Sequence, residues 1–96
     1  MLLTERRTEE GLLVSVCDAD ILGETFENGE VSLTVETDFY DGEEADEERV
    51  VGALARATVA NIVGTRAVSV AVEHGFVDET TVLDVGETRH AQLLRL

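Results

Sequence analysis

The chain has 96 residues, 21 acidic side chains against 7 basic ones, a formal charge of −14 and a single cysteine. That length bounds it to one domain, able to bury roughly 60–70% of its unfolded surface in one core without staples. One cysteine excludes an intrachain disulfide, no apolar run approaches the ~20 residues of a membrane helix, and the N-terminus lacks a signal-peptide pattern, so a soluble cytoplasmic protein is expected.

All seven basic residues are arginine, and the acids are spread along the chain instead of being blocked in a tail. Such a surface suits either a basic partner or adaptation to molar intracellular salt, as in halophilic archaea, and the even spread favours salt. At about 1 M salt the screening length is only ~3 Å. In that setting acidity does not exclude a nucleic-acid partner.

In chain order, Met1 to Arg7 and Leu12 to Cys17 read as two strands joined by a Thr8-Glu9-Glu10-Gly11 turn. The second strand is almost continuously apolar, which marks a central strand covered on both sides. Cys17 is expected there as an inert buried thiol. Asp18 to Gly23 suggests one helical turn with Asp18 as its cap. Asp18 and Asp20 lack the remaining positions of a calcium loop. After a turn at Glu27-Asn28-Gly29-Glu30, Val31 to Glu36 alternates, with Val31, Leu33 and Val35 expected inward.

Phe39 and Tyr40 fall in an acidic loop and read either as a contact surface or as a lid on the core. Asp46 is placed to cap a helix running to about Ala57, with Val50, Val51, Leu54, Ala55 and Thr58 on one face and Glu47 and Glu48 in its first turn. A second, central helix is expected over Ala60–Phe76. It is apolar over most of its circumference, Arg66, Ser69 and Glu73 make a narrow polar stripe, and Gly75 with Phe76 ends it. A closing hairpin takes Thr81 to Val85, a Gly86-Glu87-Thr88 turn, and Arg89 to Leu96. The fold class expected is α+β: one domain over residues 1–96, a mostly antiparallel or mixed sheet, and a helical pair packed on one face.

Candidate functional residues are few. In the last strand His90, Gln92, Leu94 and Leu96 share one face, and Arg89, Ala91, Leu93 and Arg95 share the other. If the arginines mark solvent, His90 and Gln92 point inward. Buried polar groups need partners, or each costs on the order of 1–3 kcal/mol. The pair then either satisfies itself and the backbone or lines a cleft. Asn61 reads as a cap for the central helix, unless Thr65 takes that role. Gly64-Thr65-Arg66 at a helix start offers N–H groups that attract anions such as phosphate. Two histidines and one cysteine make no standard zinc site, and no nucleophile-elbow motif is present. No catalytic residue, metal or cofactor is therefore assigned. The candidate binding set is Asn61, Gly64, Arg66, His90 and Gln92.

At Val16-Cys17-Asp18, Ile21-Leu22-Gly23, Phe26, Asn61-Ile62-Val63-Gly64, Ala67-Val68, Ala71, Gly75-Phe76-Val77 and His90-Ala91-Gln92 the chain resembles an archaeal family. It is the uncharacterised domain-of-unknown-function family 424. The resemblance spans nearly the whole length, with acids or gaps where lysines are expected of non-halophilic members. It carries no established activity, and implies company with translation and ribosome-maturation genes. The expectation is a noncatalytic binding module for RNA or a ribonucleoprotein. The alternatives are a small enzyme or ligand-binding protein with a pocket at His90, Gln92 and Asn61, and a homodimeric protein-interaction module using a sheet edge or Phe39-Tyr40.

Overall fold

The computed structural model describes residues 1–95. Strands β1 (Leu2–Thr8) and β2 (Gly11–Cys17) form an antiparallel hairpin. A short 3₁₀ turn at Ala19–Ile21 leads to a second hairpin, β3 (Thr25–Asn28) and β4 (Val31–Thr34). One helical turn, α1 (Thr37–Tyr40), and the two-residue strand β5 (Glu43–Glu44) precede helix α2 (Glu47–Arg56). Then come β6 (Val59–Val63), helix α3 (Thr65–Glu73), β7 (Leu83–Val85) and β8 (Thr88–Leu94). No helix among the described residues is long and apolar enough to cross a membrane.

Six strands form one mixed sheet in the order β5-β1-β2-β6-β8-β7, while β3 and β4 stand apart as a two-stranded ribbon. All neighbours are antiparallel except β2 and β6. A parallel pair needs a crossover, and α2 lies in it. The fold is α+β, with α2 and α3 packed on one face.

The apolar run of β2 is central, as its composition requires. Val14 and Val16 join Leu3, Ile62 and Ala91 under Val50, Leu54, Val68 and Ala71 of the two helices. Asp46 caps α2, its Oδ1 accepting the Arg49 N–H at 2.9 Å. At the far end of α3, Gly75 takes φ +76°. Its N–H donates to Val72 O at 3.0 Å, and the Phe76 N–H donates to Ala71 O at 2.9 Å, closing the helix as Gly75-Phe76 predicts.

On the opposite face a second cluster unites Leu2, Cys17 and Val63 with Val35 and Tyr40. It covers only one end of the sheet. Burial pushes the Cys17 thiol up to about 11 and the Tyr40 phenol up to about 12, so neither ionises near neutrality. Tyr40 is buried and Phe39 stacks edge-on against it at 4.9 Å. These aromatics form a lid on the core, built as a helical turn instead of a loop.

Three expectations are corrected. Residues 59–63 are a strand, so the central helix begins at Thr65 and not at Ala60. Asn61 is consequently a sheet residue and caps nothing. Val31–Glu36 does not enter the main sheet: β4 ends at Thr34 and pairs with β3, leaving Val31 47% exposed. The faces of the last strand are also reversed. Ala91 is buried in the helix-side core, which puts Arg89 and Arg95 on the inward side. Both arginines have partners that make this tolerable. Arg89 holds Glu79 and Asp84. Arg95 Nη1 donates to the carbonyls of Leu54 at 2.9 Å and Ala57 at 2.8 Å, closing the C-terminal end of α2. Leu96 lies outside the described residues.

Candidate functional site

The face of the sheet away from α2 and α3 is built in rows by strand register. Residues directly opposite across a ladder share a face. Thr4 faces Ser15, Ser15 faces Asn61, and Asn61 faces Gln92, so one polar row crosses β1, β2, β6 and β8. On one side of it lies the row Arg6, Leu13, Val59 and Leu94. On the other lie Leu2, Cys17, Val63 and His90, with Leu83 of β7 beyond. α1 covers the β1–β2 end of this last row, and the ribbon packs against β7, where Val85 and Thr88 are buried and Asn28 Nδ2 donates to Asp84 O at 3.4 Å. Away from the ribbon, around Leu83, Gln92 and Leu94, the face is open, with Leu94 66% and Leu83 49% exposed.

Within the polar row, Gln92 Nε2 donates to Asn61 Oδ1 at 2.8 Å. Each amide keeps further hydrogen-bonding capacity, a carbonyl oxygen on Gln92 and an NH₂ on Asn61. Ser15 is only 1% exposed, and its Oγ has no partner; the buried Oγ1 of Thr4 has none either. Hydroxyls sealed from water without a bond are costly. Here both belong to one row, which ends in an amide pair open to solvent.

His90 stands one row away, half-buried, beside a shallow depression of about 450 Å³ that Thr81, Leu83 and Gln92 also line. Burial lowers its imidazole below the usual histidine range. The folded chain therefore takes up the His90 proton less readily than the unfolded chain. Stability from this source is full above the unfolded value of about 6.5 and is lost as pH falls through the folded value. Thermal unfolding between pH 7.5 and 5.5 should show a declining midpoint, and His90→Gln should flatten that decline. An unchanged slope in the variant would assign the effect elsewhere.

The five residues singled out by sequence divide into two groups. Asn61, Gln92 and His90 come together on the open face. Gly64 and Arg66 stand at the start of α3, beyond the end of β6. The anion at that helix start is the protein's own: Asp18 accepts the Arg66 N–H at 3.0 Å and the Ala67 N–H at 2.8 Å. Asp18 thus caps α3 across the chain, and its side chain makes no capping bond to its own 3₁₀ turn. Gly64 has φ +115°, and a methyl group there would come within 2.6 Å of Asp18 Oδ2. That glycine is required by the cap passing over it, and a phosphate at these amides would have to displace Asp18.

Thr4 and Ser15 were not among the candidates read from sequence. The one available signal was Ser15 itself, a hydroxyl in the apolar run from Leu12 to Cys17. Only the register shows that it stands beside Asn61.

Over residues 5–96 the chain matches the family described as "Protein of unknown function (DUF424)". No curated protein matches it. Among solved structures it is similar to an uncharacterized conserved protein from Methanopyrus kandleri, with a TM-score of 0.79 and 24% identity, covering 99% of this chain and 93% of that one. At that identity the likeness speaks for the fold alone, and it extends to the whole α+β arrangement. With the match covering nearly all of its length, the chain belongs to the DUF424 family.

Proposed function

We propose that this protein is a noncatalytic binding module that docks on the protein surface of a ribonucleoprotein through the open face of its sheet. One observation carries this: an uncovered sheet face combines exposed leucines with a polar row containing hydrogen-bonding groups that the chain itself does not satisfy. Exposed apolar groups around a few directed polar groups suit a protein surface. The translation setting is the one implied by the family resemblance.

The arrangement favours protein over direct RNA contact. Gripping an RNA backbone takes several cations for its phosphates. Five of the seven arginines are already engaged through their side chains. Arg6 donates to the carbonyl of Asp38, and Arg49 and Arg56 hold Glu5. Arg89 and Arg95 are held as described above. The open face offers amides and leucines.

Crosslinking and capture of the tagged protein from its own cells, reading protein and RNA, tests the proposal. Leu94→Arg and Gln92→Ala alter exposed positions and should leave the fold within about 0.5 kcal/mol of wild type. Both should lose a stoichiometric protein partner. Ser15→Ala removes a buried hydroxyl that has no bond, so it should be neutral or up to about 1 kcal/mol more stable and leave capture unchanged. Capture unchanged in both Leu94→Arg and Gln92→Ala would sink the assignment of this face. Direct RNA crosslinks at His90 or Asn61, lost on their replacement, would replace a protein partner with RNA.

A further inference from the structure

The outer edge of β1 is only partly covered. β5 pairs with Leu2 and Leu3 and stops, leaving the run Thr4–Thr8 without a strand neighbour on that side. In an antiparallel pair, successive residues turn their backbone groups to alternate sides. Met1 turns its carbonyl outward, where it accepts the Ala45 N–H at 2.8 Å. Glu5 and Arg7 have the same parity, so their N–H and C=O groups also point outward. Along them, where β5 ends, runs a groove of about 500 Å³ lined by Thr4, Glu5, Arg6, Gly42, Glu43 and Arg49.

Charged residues usually blunt a sheet edge. Here their order makes the edge complementary to itself. The free run is symmetric about Arg6. If it pairs antiparallel with the same run of a second copy, Thr4 lies opposite Thr8 and Glu5 lies opposite Arg7, each twice over. The outward-turned Glu5 and Arg7 can then exchange both backbone hydrogen bonds, with opposite charges facing across the pair. The incoming strand ends at its own Thr8, just short of the stretch that β5 occupies.

Arg6 would meet its own copy on the axis, but its guanidinium is drawn off the edge. It donates to Asp38 O at 3.0 Å and lies 5.3 Å from the centre of the Phe39 ring. The Arg7 side chain makes no ion pair or hydrogen bond among the described residues, so it is available to a second Glu5. Two chains of charge −14 repel each other over most of their surfaces. Arg6, Arg7, Arg49 and Arg56 gather at this one edge and offset the acids Glu5 and Glu43 there. We infer that the free run Thr4–Thr8 is a homodimer contact, in which β1 pairs with β1 of a second copy and joins two six-stranded sheets into one. The open face that carries Asn61 and Gln92 stays uncovered in such a dimer, so this inference and the proposed docking role stand or fall separately.

The test is made on the full-length chain in molar potassium chloride, by light scattering and by cysteine crosslinking. Wild type should be dimeric. Arg7→Pro removes an outward N–H and leaves the β1–β2 ladder intact. It should be monomeric with an unchanged circular dichroism spectrum. Arg7→Glu, which sets like charges opposite each other at Glu5, should also dissociate the dimer. Arg6→Cys puts one thiol on the axis, opposite its copy, at a separation of about 4.5–5.5 Å between Cα atoms that a disulfide can bridge. The native Cys17 is fully buried and does not compete. Under mild oxidation the Arg6→Cys chain should form a covalent dimer at least ~10-fold faster than Glu9→Cys in the neighbouring turn, where no such pairing is expected. A wild-type chain that stays monomeric at millimolar concentration overturns the inference. So does a dimer that survives Arg7→Pro, or an Arg6→Cys chain that crosslinks no faster than the turn control.

Discussion

Gly64→Ala is expected to destabilise the chain by roughly 2–6 kcal/mol, summing the strain of a positive φ in a residue with a side chain and the overpacking of a tight contact. Both contributions come from one place. The backbone leaves β6 at φ +115° to start α3, and the Asp18 carboxylate crosses over it to reach the Arg66 and Ala67 N–H groups. The two causes separate in a double-mutant cycle. Asp18→Ala alone should cost about 0.5–2 kcal/mol as a lost cap. Placed in that background, Gly64→Ala should cost less than it does alone, because the collision is gone and only the backbone strain remains. Urea unfolding of the four chains measures it. Equal costs in both backgrounds would leave the backbone as the sole cause, and a Gly64→Ala chain as stable as wild type would remove both.

The second large effect is expected at Leu54. This side chain is fully buried on the inward face of α2 among Val14, Val50 and Val68. Leu54→Ala removes that packing and leaves a cavity, at a cost of about 2–5 kcal/mol. Against a total stability of about 5–15 kcal/mol for a domain of this size, that is a substantial share. Its neighbour supplies the contrast. Ala55 was expected on the same face as Leu54, but it is exposed, and Ala53 is buried in its place. Ala55→Gln should therefore change stability by less than about 0.5 kcal/mol. A large loss at Ala55 and a small one at Leu54 would mean that α2 is rotated from the orientation described.

What the sequence disclosed follows from how local each determinant is. The centre of the sheet was visible because Leu12–Cys17 is apolar on both faces. The caps at Asp46 and Gly75 were visible because such signals are a few residues long. Residues 59–63 were not, because a short buried strand and a helix segment look alike when nearly every position is apolar. The boundary between β6 and α3 is a single glycine in an unusual backbone conformation, held by an aspartate far away in the chain. The faces of the last strand are not legible locally, because arginine ordinarily marks solvent while Arg89 and Arg95 find partners for their inward guanidinium groups outside that strand. Ribbon strand β3 has one apolar residue, Phe26, and gave no period to detect. Of the candidate site, Asn61, His90 and Gln92 stood out as polar groups in apolar surroundings. Thr4 and Ser15 join them only through the register of four strands, which no local pattern encodes.

That register also constrains how the chain folds. β1–β2 and β7–β8 are local hairpins, and each can form from its own segment. The two halves of the sheet meet only at the parallel contact of β2 with β6, between strands separated by the ribbon, α1, β5 and α2. Closing so long an intervening stretch costs chain entropy before any core contact repays it. A chain emerging from the ribosome therefore carries a β1–β2 hairpin with one long unpaired edge on β2 until β6 has been made. The arrival of residues 59–63 is the event that closes the core.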